Sequence, residues 1–396
     1  MSPRTGIGLS FAGPYRKINA RPFQRGKMKD LIGWKPYSLN PISAGVRYRC
    51  LNPLRELQDR GYPVELFSWK SRHRYAAVVY QGLSVFETDV KTGSPATLLE
   101  EASRLKAAGT RIVVEDCDNH FYNPRQRAET AEGITRLRSL IALADELVVS
   151  TPALAQVMRS ESREAITITV IGDAVESSIV GFSKDTLRRS IFNWKRWRFF
   201  RDFTQLSRHV RDHKVRGRTP LVWFGNHGSN YADGGMDALV TRARTLQVIN
   251  QRYPLALTVI SNNKNKYLDL IAPWHLPTNY LTWSRLTFLE ALRLHDIAII
   301  PIAKTPFTIC KSNNRLTLAL HEGLAVVADS IPSYEPFSAV CYLDNWDEGL
   351  ARYLESPQKR QAHVSAARRL IAQECSLAII ADRWQHLFDR LLSVTR

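Results

Sequence analysis

The chain has 396 residues, 44% hydrophobic and 23% charged, which is apolar enough for two ordinary domains with their own cores and too apolar for a disordered chain. Its net charge of +18 is unevenly spread: residues 1–40 hold eight Lys/Arg and one Asp, residues 184–218 hold twelve Lys/Arg and three Asp, and the remaining 321 residues carry only +2. A basic tail and a basic linker around a nearly neutral body argue against a nucleic-acid groove through the fold, so no nucleic-acid partner is expected, although a nucleic-acid-associated protein stays as the weakest alternative. The five cysteines (Cys50, Cys117, Cys310, Cys341, Cys375) are scattered and form no C-x-x-C pair, which argues against a disulfide framework or a zinc ribbon. With no apolar run of eighteen residues and no secretory signal, the expectation is a soluble cytoplasmic protein.

Residues 1–40 read as a basic N-terminal extension or a poorly defined first strand. From Gly45 the pattern tightens: VRYRCLNPLRELQDRG reads as a helix closed by Gly61 despite Pro53, and PVELFS and AAVVYQ as strands. SPATLLEEASRLKAAG reads as a helix with Ser94 as N-cap and Pro95 at its first position, followed by the strand RIVVE and the loop DCDNHFYNP. A helix near 129–143, the strand ELVVS, the helix TPALAQVMRS and ITITVIGD complete a first domain over 41–175. Short apolar strands alternating with helices predict α/β structure with parallel sheets.

The alternation stops over 176–218. In that linker, apolar residues at 187, 191 and 194 and then at 199, 203, 206 and 210 have helical spacing with one phase slip, against an Arg-rich opposite face. A helix bridging the protein's own domains is one reading, and residues 184–218 lying on an anionic membrane surface is the other. The alternation resumes at LVWFG and runs through LALTVIS, NYLTW, IAIIPI, LAVVA and AVCYLD, a second domain over 219–375, before a last helix over 376–396. Two such halves imply a cleft where the carboxyl ends of both sheets meet.

Two stretches carry chemistry. In WFGNHGSNYADGGMDAL a strand ends at Gly225, and Asn226, His227 and Gly228 open a glycine-rich turn whose amides suit a phosphate, or simply a tight turn. In PIAKTPFTICKSNNRLTLALHEGLAVVADSIPSYEPF, Lys311 and Arg315 flank the start of a helix over 312–322 that Ser312 or Asn313 can cap. Cations at a helix N-terminus oppose its dipole and call for an anion, such as a departing nucleoside diphosphate. The alternative is that both side chains extend into solvent.

The block KSNNRLTLALHEGLAVVADSIPSYEPF resembles the donor site of retaining GT-B glycosyltransferases of the family 4 (glycosyl transferases group 1) type. GVRYRCLNPLRELQDRGYPVELF, VVEDCDNHFYNP, ADELVVSTPALAQVM, VIGDAVE and LVWFGNHGS agree with it in order, and the last thirty residues, with Trp384, resemble the terminal helix that returns to the first domain. The resemblance implies two Rossmann-like domains, a nucleotide-sugar donor in the second, a glycan or lipid-linked acceptor under the first, and no metal or cofactor. It departs at Cys310 and Leu318, where relatives carry two glutamates, so Glu322 becomes the candidate replacement, and a non-catalytic sugar-binding protein becomes the alternative. Asp116, Asp118 and His120 are the candidates to orient an acceptor hydroxyl and take its proton, against Asx turns and a packed histidine. A metal at that loop is the weak reading. Arg47 and Arg49, at the start of the first helix, are candidates for an acceptor phosphate or for a solvated helix start.

Overall fold

The structure, a computed structural model, describes residues 30–86, 90–162, 165–176, 194–228 and 234–393. The first domain runs β1 (Leu31–Lys35), α1 (Ala44–Val46), a π-turn (Arg47–Leu51), α2 (Asn52–Asp59), β2 (Val64–Leu66), β3 (Tyr75–Gln81), α3 (Leu98–Ala107), β4 (Arg111–Asp116), α4 (Ala128–Leu143), β5 (Glu146–Val149), α5 (Pro152–Glu161) and β6 (Thr167–Val170). Its strands form one parallel sheet in the order β2-β1-β3-β4-β5-β6. After α6 (Trp194–Val215) the second domain runs β7 (Thr219–Phe224), α7 (Met236–Val240), α8 (Ala243–Arg252), β8 (Leu255–Ser261), α9 (Lys264–Leu270), β9 (Thr278–Thr282), α10 (Phe288–Leu292), β10 (Ile297–Ile300), α11 (Asn314–His321), β11 (Ala325–Ala328), β12 (Tyr342–Leu343), α12 (Trp346–Glu355) and α13 (Pro357–Glu374). Its sheet, also parallel, has the order β12-β11-β10-β7-β8-β9.

Strand periodicity sorts the apolar residues onto two covered faces of each sheet. Ala77 and Val79 pack on one side of β3, and Val78 and Tyr80 on the other. In the second sheet Val222 and Phe224 face one core, while Leu221 and Trp223 face the opposite one. All five cysteines are free thiols.

The structure moves two element boundaries and places the linker helix. The basic extension expected over 1–40 gives way at Leu31 to a strand paired on both sides, Ile32 standing opposite Val64 and Ala77. Lys35 at its end is buried on Glu101 at 2.6 Å, so part of the segment's charge is internal; residues 1–29 lie outside the described residues. The helix expected from Ser94 starts at Leu98. There Thr97 and Glu100 form a capping box, and two reciprocal bonds to the backbone outweigh the Ser-Pro signal. Of the linker, 177–193 lies outside the described residues. Its helix α6 seats Leu206 and Val210, with Phe203 beside them, in the core of the second domain.

The last helix, α14 (Leu377–Ser393), leaves the second domain and packs on the first. Trp384 lies 4.6 Å from Trp34 of β1 with the rings tilted at 59°, and Ile380, Leu387 and Phe388 complete the contact. Among the described residues no helix is long and apolar enough to cross a membrane.

Candidate functional site

Both sheets reverse strand order once, next to the first strand of each domain: between β1 and β3, and between β7 and β10. Such switch points open a crevice at the carboxyl ends of the strands. A cavity of about 320 Å³ lies there, between the domains. The first domain contributes Gly45, Tyr48 and Arg49 after β1, Cys117 and Asp118 after β4, and Asp173 after β6. The second contributes Asn226, Gly228, Gly234 and Gly235 after β7 and Lys311, Ser312, Asn314 and Arg315 after β10, with Tyr334 behind them.

On the second-domain side the turn after β7 folds back on itself. Gly235 has φ +69°, and a Cβ there would meet the amide nitrogen of Gly228 at 2.4 Å. Only glycine lets the two strands of the turn approach this closely. Lys266 fixes the turn by donating to the His227 carbonyl at 3.0 Å and to Asp237 at 2.6 Å. Arg315, on the first turn of α11, lies over Gly225 and against the buried Tyr334 hydroxyl, and among the described residues it forms no ion pair.

The first-domain side is built on the π-turn, where four consecutive residues, Arg47 to Cys50, are buried. An α-helix at the edge of a core buries one face only; the wider π-turn directs both arginines inward. Arg49 donates to Glu115 at 2.6 Å, to Asp173 at 3.1 Å and to the Ile171 carbonyl at 2.7 Å. Burial pushes the Glu115 carboxyl up to about 7, against the opposing pull of Arg49. The Cys117 thiol is pushed up by burial and by the neighbouring carboxylates, against the pull of Arg49.

Polar bonds join the two sides. Lys311 reaches Asp118 at 2.6 Å, Ser312 donates to Asp173 at 2.5 Å, Asn119 donates to the Pro306 carbonyl at 2.9 Å, and Thr151 to the Cys310 carbonyl at 2.9 Å. Among the described residues no three His, Cys, Asp or Glu side chains gather as metal ligands.

A scan of protein-family models matches none, and a search of curated proteins finds no match either. Solved structures do match. A sucrose-phosphate synthase from Thermosynechococcus elongatus superposes with a TM-score of 0.56 at 13% identity, covering 82% of this chain and 76% of that one. An α,α-trehalose-phosphate synthase (UDP-forming) from Burkholderia vietnamiensis gives 0.50 at 12% identity, covering 80% and 72%. An E. coli trehalose-6-phosphate structure bound with UDP-2-fluoro glucose gives 0.50 at 12% identity, covering 80% and 73%. The chain has the GT-B fold.

Within this GT-B frame the residues singled out from sequence separate into two groups. Asn226, Gly228, Lys311, Ser312, Arg315, Asp118 and Arg49 line the cavity, with Gly225 beneath Arg315. Asp116 and His120 do not. Asp116 follows Glu115 on the strand and so points to the opposite face, where it is buried and His120 Nδ1 lies 2.8 Å from it. Burial alone would lower the His120 pKa, yet Asp116 and Asp118 outweigh it and the net direction is up.

Arg47 is not open to an acceptor: it grips Glu176 at 2.7 Å and the Pro41 and Ile42 carbonyls. Glu322 sits at the far end of α11, paired with Arg293 at 2.6 Å, because eight residues of helix carry it away from Lys311. His227 turns to Asn262, and Asn313 takes the N-cap position without a side-chain capping bond. Cys310 and Leu318 are both buried. The anion expected at the start of α11 is in this structure a pair of carboxylates from the first domain: Asp173 on Ser312, and Asp118 on Lys311. Sequence reading missed Asp173 and Tyr334, whose only local signals were a polar residue after an apolar strand and a tyrosine in a loop.

Proposed function

We propose that this GT-B protein is a glycosyltransferase that moves a sugar from a nucleotide-sugar donor, held by the second domain, to a hydroxyl of a glycan or lipid-linked acceptor under the first. One observation carries the reading: at the meeting of two switch points, Arg315 and Lys311 converge with a close-folded glycine turn on one wall, and Asp118 stands on the other. Cations and backbone amides suit a diphosphate, whose negative charge grows as it leaves. The bond from the anomeric carbon to the phosphate oxygen breaks with its electron pair going to the phosphate. The acceptor oxygen closes on that carbon, and its proton passes to Asp118. Retention of configuration follows the family resemblance. Metal independence follows the same resemblance, with Lys311 and Arg315 supplying the positive charge for the diphosphate.

Incubation with a panel of nucleotide sugars, read as nucleoside diphosphate release, tests this. Lys311→Ala and Arg315→Ala should each lower turnover by about 10²-fold. If no donor binds, or both variants match the parent, the enzyme is the wrong reading. The burial of Cys310 and Leu318, where relatives carry glutamates, favours a second reading of a sugar-nucleotide binder without turnover; donor binding with no release selects it.

The exposed face of α6, with Trp197, Arg201, Arg208 and Arg211, suits peripheral attachment to an anionic membrane from the cytoplasmic side. Co-sedimentation with phosphatidylserine vesicles that persists after all three arginines are replaced by glutamate counts against this.

A further inference from the structure

We propose that Asp118 is a built-in stand-in for the donor diphosphate: it holds Lys311 across the cleft, yields it when the donor arrives, and is thereby released to act on the acceptor hydroxyl. This rests on the glycosyltransferase reading and adds an order to it. Two carboxylates of the first domain occupy the start of α11, but they are held very differently. Asp173 is buried and accepts from Arg49 through one oxygen and from Ser312 and Asn314 through the other, so moving it would break a buried ion pair of Arg49 and two further hydrogen bonds. The Asp118 carboxylate accepts from Lys311 at 2.6 Å, with side chains 24% and 38% exposed, and each of these two lies at the rim of its own domain. Of the two, Asp118 is the contact that a ligand can displace.

Lys311 is built to swing. Its backbone is fixed, the carbonyl accepting from Ser333 at 2.7 Å and the amide donating to Thr308 at 3.1 Å, while its ammonium lies 4.1 Å above the Phe307 ring. The Cα therefore stays in place while the four-carbon stem turns toward Arg315 and the glycine turn. Release changes Asp118 chemically. Burial would raise its pKa, but Lys311 first and His120 second outweigh that and hold the carboxyl below its usual range, which makes it a poor proton acceptor. Once Lys311 belongs to a diphosphate, the largest pull that lowers the carboxyl is gone, burial raises it against His120 alone, and Asp118 becomes a better base only with donor in place. Proton uptake is thus tied to donor occupancy.

Inorganic pyrophosphate, which has no base or sugar, is the probe. In calorimetric titration of the full chain, Asp118→Asn should bind pyrophosphate roughly three- to tenfold more tightly than the parent, the size expected from removing one partly exposed competing charge. Lys311→Ala should bind it more weakly, and the double variant should match Lys311→Ala. In donor turnover, Asp118→Asn should lower both KM for the donor and kcat, a split that a merely structural residue would not give.

Equal or weaker pyrophosphate binding by Asp118→Asn, with Lys311→Ala still impaired, overturns the stand-in role and leaves the donor site intact. Identical binding by parent, Asp118→Asn and Lys311→Ala overturns the donor site itself. Urea midpoints check folding, and Asp118→Ser serves in the same titration if the asparagine variant is unstable.

Discussion

Replacing Arg49 with methionine keeps most of the side-chain volume and removes the guanidinium from a site where it is 1% exposed. Glu115 and Asp173, 1% and 4% exposed, lose their shared cation. Breaking a buried ion pair on one side costs about 3–5 kcal/mol, a large fraction of the 5–15 kcal/mol typical of a folded protein. With a urea slope of about 2–3 kcal/mol per molar, the midpoint for the first domain should fall by about 1–2 M. The penalty should also depend on pH. In the parent, the Glu115 carboxyl titrates near 7, above its ordinary value of 4.5, so its contribution to stability is fully present below 4.5 and is lost as pH rises through 7. Without the guanidinium the folded value climbs further, so the variant should be least impaired near pH 5 and most impaired at pH 8. Urea denaturation followed by tryptophan fluorescence at both pH values measures this, and Glu115→Gln added to Arg49→Met should recover part of the loss at pH 8. An unchanged midpoint at pH 8, or a penalty that shrinks from pH 5 to pH 8, would refute the buried-pair account.

Gly235→Ala places a Cβ against the Gly228 amide and forces an alanine to φ +69°, so the turn after β7 must open. Pyrophosphate affinity should fall at least tenfold, at a cost of about 1–3 kcal/mol in stability; retained affinity would place the anion elsewhere. Trp384→Ala should destabilise the first domain by about 3–5 kcal/mol in urea, because the ring is fully buried between Trp34 and Phe388. A first-domain transition that does not move would show that α14 is dispensable to that core.

The two-domain α/β plan was legible because strands buried on both faces read as unbroken apolar runs, as in YAAVVYQ and IAII. β1 was nearly lost because LIGWK is five residues long, has a glycine at its centre and ends in a lysine whose partner, Glu101, lies 66 residues away. Its strand character comes from β2 and β3 on either side, which no local pattern announces. At the site, Lys311 and Arg315 were readable from a strand, a loop and a helix start in succession. The separation of Asp118 from Asp116 and His120 was not, since the chain leaves the β4 register in the DCDNH loop. Asp173 was invisible for a different reason: its partners Arg49, Ser312 and Asn314 come from both domains.

The return of α14 to the first domain also bears on how the protein is made. Ile32, Trp34, Leu54 and Leu57 are translated before the second domain, yet the surface that covers them, Ile380 to Phe388, is translated only after it. At about 5–20 residues per second, the intervening chain takes roughly 15–70 s to synthesise. For that time the nascent first domain carries an uncovered aromatic face, which makes it a natural client for a chaperone and ties its maturation to synthesis of the second domain.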